Sequence, residues 1–341
     1  MTISQATRPG NDKPCPTSLS ASVVICCYTE QRWDDLVGAI ESVKRQTSPP
    51  LEAVLVVDHN AALLERIRAE MDNVVVLENR GRQGLAGARN TGVDDSKGDV
   101  IVFLDDDAAA EPEWLEALVS PYDDPSVLGV GGWIQPAWGG PRPGWFPEEF
   151  DWVIGCSYQG SPAVSSRVRN LIGANMSLRR EVFDAVGGFR EGIGRVGTRP
   201  LGCEETELCI RANRRWPDRF FVIQPSARVH HTVRPERARW RYFLSRCYAE
   251  GLSKAQVASF EGMTSGLASE RTHAIKALPR GVVRGVADTI VSGDPSGIVR
   301  GMVIVLGLCV TTAGFLRGML TERNVSRLAD RCAAAPPAPC S

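Results

Sequence analysis

The chain has almost no net charge, with 39 Lys and Arg against 40 Asp and Glu in 341 residues. That balance gives no global field of the kind that draws a protein to nucleic acid, and no nucleic-acid partner is expected. Its ten cysteines include no C-x-x-C pair, and Cys26 and Cys27 are adjacent in an apolar run. Neither a zinc ribbon nor a disulfide scaffold follows from that spacing, so the thiols read as buried or incidental in a reducing compartment. Residues 1–20 are polar, carry Pro9, Pro14 and Pro16, and lack the apolar centre of a secretory signal. A disordered tail is expected there, and another over 323–341. G-x-G-x-x-G is missing too: Gly81, Gly84 and Gly87 give G-x-x-G-x-x-G, which disfavours a dinucleotide-binding dehydrogenase. The stretch from Cys26 to Glu30 has no Gly-rich basic loop, which disfavours a nucleotidyltransferase.

What is present alternates. Apolar runs at 22–27, 51–57, 73–77 and 99–104 read as buried strands, with helical spacing between them at 33–46, 63–71 and 85–94. Alternating strands and helices predict an α/β fold with a mostly parallel, Rossmann-like sheet flanked by helices. Ligands of such sheets sit beyond the C-terminal strand ends, where Cys27, Tyr28, Asp58 and Asp105 to Asp107 fall. Further on, 113–119, 181–186 and 204–216 read as helices, and 127–134, 171–178, 220–223 and 227–230 as strands. Residues 135–147, rich in Pro, Gly and Trp, read as a binding loop. The aromatics around it (Trp133, Trp138, Trp145, Phe146 and Trp152) would stack on an acceptor sugar or simply pack the loop.

Three successive carboxylates, Asp105, Asp106 and Asp107, repel one another at a strand end. A hard divalent cation with oxygen ligands, Mg2+ or Mn2+, would make them favourable and bridge them to a diphosphate. The structural alternative is an acidic turn that caps the next helix. Arg89 and Asn90 lie on the 85–94 helix, where arginine suits either a diphosphate or a salt bridge across the helix face.

By this point several ordered segments resemble the inverting glycosyltransferases of family 2, with their GT-A fold. They are VVICCYTE (23–30), SVKRQT (42–47), VVDHN (56–60), GLAGARNTG (84–92), FLDDD (103–107), LIGANMSLRR (171–180) and GCEETELCIR (202–211). The resemblance covers Ala21 to about Val233. It implies a nucleotide loop at Cys27, Tyr28 and Glu30, and a nucleoside contact at Asp58, although His59 stands where the family often has a second Asp. It implies a nucleotide-closing segment with Arg89 and Asn90, and Asn175 in the acceptor-side block. Asp105 and Asp107 would bracket the metal and the sugar-diphosphate, with Asp106 beside them. Glu205 would be the general base, with Glu204 as its rival. The family's Val-x-His spacing selects His231 over His230 as a further metal ligand; a hydrogen-bonded structural histidine is the alternative. Three features, VVDHN, WFPEEFDW (145–152) and RPLGCEETELC (199–209), resemble a subgroup described as glucosyl-dolichyl-phosphate glucuronosyltransferases.

The C-terminal third is basic, with twelve Lys and Arg against six Asp and Glu between Arg228 and Arg300. It is helical throughout in pattern and contains 301–316, sixteen residues without a charge. A full span needs about 20 apolar residues. A spanning or re-entrant helix, an interfacial helix and a buried soluble helix all remain open. The expected division is a catalytic domain over 21–235 and a membrane-associating helical extension over 236–322. A nucleotide-sugar donor and a glycan or lipid-linked acceptor are the expected partners, at the cytoplasmic face of the cell membrane or in the cytoplasm. The rival readings are a degenerate nucleotide-binding scaffold and a transferase acting on a soluble acceptor.

Overall fold

Residues with no polar interruption form the centre of the sheet. In the computed structural model, which describes residues 19–195, 201–261 and 277–333, β1 (Ala21–Cys27) is buried along nearly its whole length. It pairs in parallel with β2 (Glu52–Val57) on one side and β4 (Val100–Asp105) on the other, and β3 (Val75–Glu78) extends the parallel set beyond β2. The connecting helices are α1 (Trp33–Lys44), α2 (Ala61–Glu70) and α3 (Leu85–Asp95). Leu36, Ile40, Leu63 and Ile67 cover one face of the sheet, while Ala86, Ala88 and Val93 of α3 cover the other.

The expectation of a mostly parallel sheet holds only for this half. The other strands are β5 (Ala108–Ala110), β6 (Val127–Trp138), β7 (Ser166–Val168), β8 (Asn175–Arg179) and β9 (Phe220–Val233). The order is β3-β2-β1-β4-β8-β6-β9-β5, with β7 on β9. β8 runs antiparallel to both β4 and β6, β6 and β9 are parallel, and β5 and β7 are antiparallel to β9. The reversal is set by the tight turn at Asp106 and Asp107 and by β8 entering from the far end.

Three boundaries also differ from expectation. Residues 171–174 are not strand, because Arg89 Nη2 takes the Gly173 carbonyl at 2.9 Å. A Cβ at Gly173 would stand 2.6 Å from that nitrogen. The strands expected at 220–223 and 227–230 are one strand, with a bulge opposite Gly132 and Trp133. The loop expected from 135 begins only after Trp138, since β6 keeps pairing with β9 as far as Val233.

The remaining helices are α4 (Trp114–Val119), α5 (Arg180–Val186), α6 (Glu204–Arg215), α7 (Trp240–Glu261), α8 (Leu278–Ser292) and α9 (Ser296–Ala333). The last runs past the tail boundary expected at 323; the rest of that tail, 334–341, and the expected tail over 1–18 lie outside the described residues. Phe243 and Cys247 of α7, Leu278 of α8, and Val303 and Ile304 of α9 join the sheet's own core cluster. Each such side chain fully buried contributes roughly 1.5–3 kcal/mol, so the late helices are fastened to the sheet domain. Ser296–Thr321 of α9 is long and apolar enough to cross a membrane by length and composition, and 28% of its most apolar stretch is buried.

Candidate active site

The strand pairing assembles a candidate metal centre. Asp105 ends β4, Asp106 and Asp107 form the turn, and β5 returns to pair with β9, setting Ala108 opposite His231. Along this end of β9 burial alternates: Val229, His231 and Val233 face inward, whereas His230 is exposed and meets Glu111 at 3.0 Å. The period of two in a strand therefore selects His231. Ligand atoms of Asp105, Asp107 and His231 lie within 4.8 Å of one another. His231 Nε2 is 3.0 Å from Asp107 Oδ1, the separation of adjacent ligands in an octahedral shell with bonds of about 2.1 Å. Asp107 Oδ1 and His231 Nδ1 are sealed from solvent, and His231 Nδ1 has no hydrogen-bond partner among the described residues. The donor set is carboxylate and imidazole with vacant lone pairs, and it could hold a divalent ion.

Two arginines that sequence patterning does not single out complete this side. Arg32 Nη1 reaches Asp106 Oδ1 at 2.7 Å and Asp107 Oδ2 at 3.3 Å, and Arg237 Nη2 reaches Asp107 Oδ2 at 3.1 Å. Burial acts to raise the Asp107 carboxyl, but His231, Arg237 and Arg32 outweigh it and hold the group well below the usual carboxylate range. Asp106 goes the other way: burial, against the pull of Arg32, pushes it up to about 7. The triplet is thus differentiated by its surroundings.

Beside it lies a small cavity of about 50 Å³ lined by Cys27, Tyr28, Arg32, Asp58, Asp105 and Asp106, among others. Asp58 is held rigidly. Its Oδ1 accepts from Asn79 at 2.6 Å and lies 3.0 Å from His59 Nδ1, and its Oδ2 accepts from the Gly84 amide at 2.9 Å. His59, in the place of the family's second Asp, adopts a left-handed backbone (φ 50°) and turns its ring back on Asp58. Asn60 caps α2 and donates to the Tyr28 carbonyl at 3.1 Å, tying the β1 and β2 loops together. Glu30 is a correction: it sits exposed in a short 3-10 turn and lines neither cavity described here.

The acceptor side begins at the head of α6. Cys203 caps it in a left-handed conformation (φ 75°), and Glu204, Glu205 and Glu207 fill the first turn, where the helix dipole favours anions. Arg89 is buried and donates to Glu204 Oε1 at 2.9 Å, with Asp105 Oδ1 3.7 Å away on its other side. With its side chain committed to Glu204 and Gly173, Arg89 joins the two acidic clusters. Glu205 lines a cavity of about 860 Å³. Burial and then the neighbouring Glu204 push its carboxyl up to about 8. Glu207 is structural, clamped by Arg190 and Arg211 at 2.8 Å each.

Two other residues of the expected site bind the protein's own backbone. Asn90 exchanges hydrogen bonds with the Phe189 backbone at 2.9 and 2.7 Å. Asn175 is fully buried, accepts from Trp114 Nε1, and donates to the Trp133 and Ala227 carbonyls. Asn175 is thereby used up by the protein, whereas Asn90 is only partly buried and keeps an amide hydrogen. Their amides resemble site residues in sequence because one side chain replaces several backbone partners. The aromatic group divides. Trp133 and Trp152 line the large cavity, while Trp145 stacks on Trp240 with centroids 4.0 Å apart and Phe146 packs edge-on to Phe243. Across the same cavity α7 presents Arg246, Glu250 and Lys254 one turn apart, with Arg246 bound to Glu250 at 2.9 Å.

Comparison with known proteins places these features in a wider set. The sequence profile of glycosyl transferase family 2 matches residues 22–187. Glucosyl-dolichyl phosphate glucuronosyltransferase of Haloferax volcanii is 36% identical over 240 residues, covering 69% of this chain and 76% of the relative. Among solved structures, the mannosyltransferase PcManGT of Pyrobaculum calidifontis, in complex with GDP-Man and Mn2+, aligns with a TM-score of 0.54 at 18% identity. That alignment covers 95% of this chain and 91% of the other. GalNAc-T7 with UDP, GalNAc and Mn2+ aligns with a TM-score of 0.51 at 19% identity, over 76% of this chain and 54% of that one. At such identities the structural likeness is one of fold, and that fold is GT-A-like.

Proposed function

The chain belongs to glycosyl transferase family 2, and on that footing we propose that it moves a sugar from a nucleotide-sugar to a hydroxyl of a lipid-phosphate-linked sugar, with Glu205 as the base. The observation that carries this reading is the arrangement about Arg89, which has Asp105 of the carboxylate–imidazole cluster on one side and the Glu204–Glu205 pair on the other. A divalent ion bound by Asp105, Asp107 and His231 would supply the positive charge that stabilises a departing nucleoside diphosphate. Arg32 and Arg237 hold Asp106 and Asp107 in place and add positive charge beside them. Asp58 and Tyr28 line the space for the nucleoside. Arg89 holds Glu204 in place through its ion pair, which leaves Glu205 as the member of the pair able to exchange a proton. Glu205 takes the proton from the acceptor hydroxyl as that oxygen bonds to the anomeric carbon and the carbon–oxygen bond to the diphosphate breaks. A single displacement of this kind inverts the anomeric configuration.

The lipid-linked acceptor draws support from the name of the Haloferax relative and from the apolar α9. A nucleotide-linked glucuronate is the donor to try first. The reading includes a catalytic part over 21–235, a membrane-associating part over 236–322, and a position at the cytoplasmic face of the membrane. The test is a thermal-shift panel of nucleotide-sugars with and without manganese, followed by chromatography of products on polyprenyl-linked sugars. Manganese-dependent stabilisation by one donor, with donor cleavage abolished in Asp107→Ala, is the expected result. Transfer to a soluble acceptor and to no polyprenyl-linked sugar would overturn the acceptor assignment.

A further inference from the structure

From Gly297 to Leu320, α9 has two faces. Toward the protein, Gly297 meets the Gly285 carbonyl of α8, Gly307 meets the Phe150 ring, Gly314 meets the Tyr248 carbonyl, and Gly318 meets Ala255 of α7. A Cβ at Gly297 or Gly314 would come within 2.2 Å of those carbonyl oxygens, so the backbones touch. From Gly297 to Gly318 this contact runs about 32 Å at 1.5 Å per residue. The opposite face carries Ile298, Met302, Val305, Leu316 and Leu320, each between 47% and 60% exposed. A helix that left the domain to cross a bilayer would not be fastened to it over that length.

α8 continues the open face. Val283, Val286 and Ile290 form a stripe at 68%, 44% and 77% exposure. Beside that stripe stand Arg280 and Arg284, one turn apart, which is the layout of an interfacial helix. Both arginines also line the large cavity that holds Glu205. Arg284 is bound to Glu149 at 2.6 Å, whereas Arg280 has no ion-pair partner among the described residues. α7 and α8 supply four of the seven Arg and Lys side chains that line this cavity, Arg246, Lys254, Arg280 and Arg284, against five carboxylates in the same lining. That surplus of positive charge at the cavity wall, with Arg280 at its exposed edge, suits an anion.

We propose that this wall receives the phosphate of a membrane lipid phosphate, against Arg280 and Arg246, while the lipid chain leaves over the apolar faces of α8 and α9, which lie in the membrane plane. The inference rests on the lipid-linked acceptor and adds where its phosphate sits and how it enters. An in-plane α9 also brings the cavity mouth to the level of lipid headgroups, where such an acceptor resides.

The test is flotation of the full-length protein with phosphatidylcholine vesicles, with and without a minor fraction of polyprenyl phosphate. Wild type should bind about tenfold more tightly when the lipid phosphate is present, the scale of one charge-assisted contact. Arg280→Gln should lose that gain and keep its binding to plain phosphatidylcholine, while Ile290→Asp should lose binding to both. An unchanged gain in Arg280→Gln overturns the proposal. So does displacement by inorganic phosphate as effective as by polyprenyl phosphate, which would mark a free-anion site. In sealed inverted membrane vesicles an epitope after Ser341 should be digested by added protease; its protection would show that α9 crosses. Manganese-dependent stabilisation by the donor, read on the same protein, reports on the transferase reading separately.

Discussion

The two acidic clusters of the site have received opposite treatment. At Asp105–Asp107, Arg32, Arg237 and His231 press on Asp107 from several sides and keep it ionised. At Glu204–Glu205, Arg89 is spent on Glu204, and burial and then Glu204 push Glu205 up to about 8 against the weaker pull of Arg89 and Lys254. Carboxylates of ordinary chemistry are thereby sorted by their neighbours, one into a permanent anion suited to a cation and one into a group able to take up a proton. The contrast teaches that the acids alone do not define the site; the placement of the arginines does.

The contrast can be broken most completely at Asp107. Asp107→Ala should remove manganese-dependent stabilisation and donor cleavage together, with Asp107→Asn as the better-folding check. Glu205→Gln should reduce transfer by about 10²–10⁴-fold, the usual share of general base catalysis, with donor affinity retained in a binding titration. Arg89→Ala leaves Glu204 buried without its partner and should cost about 3–5 kcal/mol of stability in denaturant melts. In wild type, kcat/KM should rise with pH toward a plateau with its midpoint near about 8 as Glu205 ionises. The smallest effect concerns stability. A Glu205 carboxyl raised on folding favours the native state below its unfolded value, and that contribution is lost as pH rises through about 8. Glu205→Gln should therefore narrow the difference in Tm between about pH 6 and about pH 9.

Much of this arrangement was legible in the sequence where a short-range period controls the outcome. The uninterrupted apolar runs gave β1, β2 and β4, and with them the strand ends that carry Asp58 and Asp105. The family's Val-x-His spacing picked His231 over His230, and the alternation of burial along β9 supplies the physical reason. Long-range pairing left no such trace: nothing local in 171–180 tells that β8 runs against β4, or that β6 continues through Trp138. The long cationic side chains were the least legible. Arg32 and Arg237 reach Asp107 from opposite ends of the sequence, and only the closed sheet brings them together. Asn175, fully buried, brings a related difficulty, since an amide that braces the backbone and one that binds a sugar are the same letter.

Trp145 and Trp240 lie nearly parallel, at 12°, with centroids 4.0 Å apart. One belongs to the segment after β6 and the other is the first residue of α7, so the pair straddles the seam between the sheet and its helical roof. Stacked indoles at that range couple their electronic transitions and give a paired circular-dichroism signal that separated indoles lack. The molecule thus contains its own optical gauge of whether the roof is seated, one that can be read without substrate, metal or label.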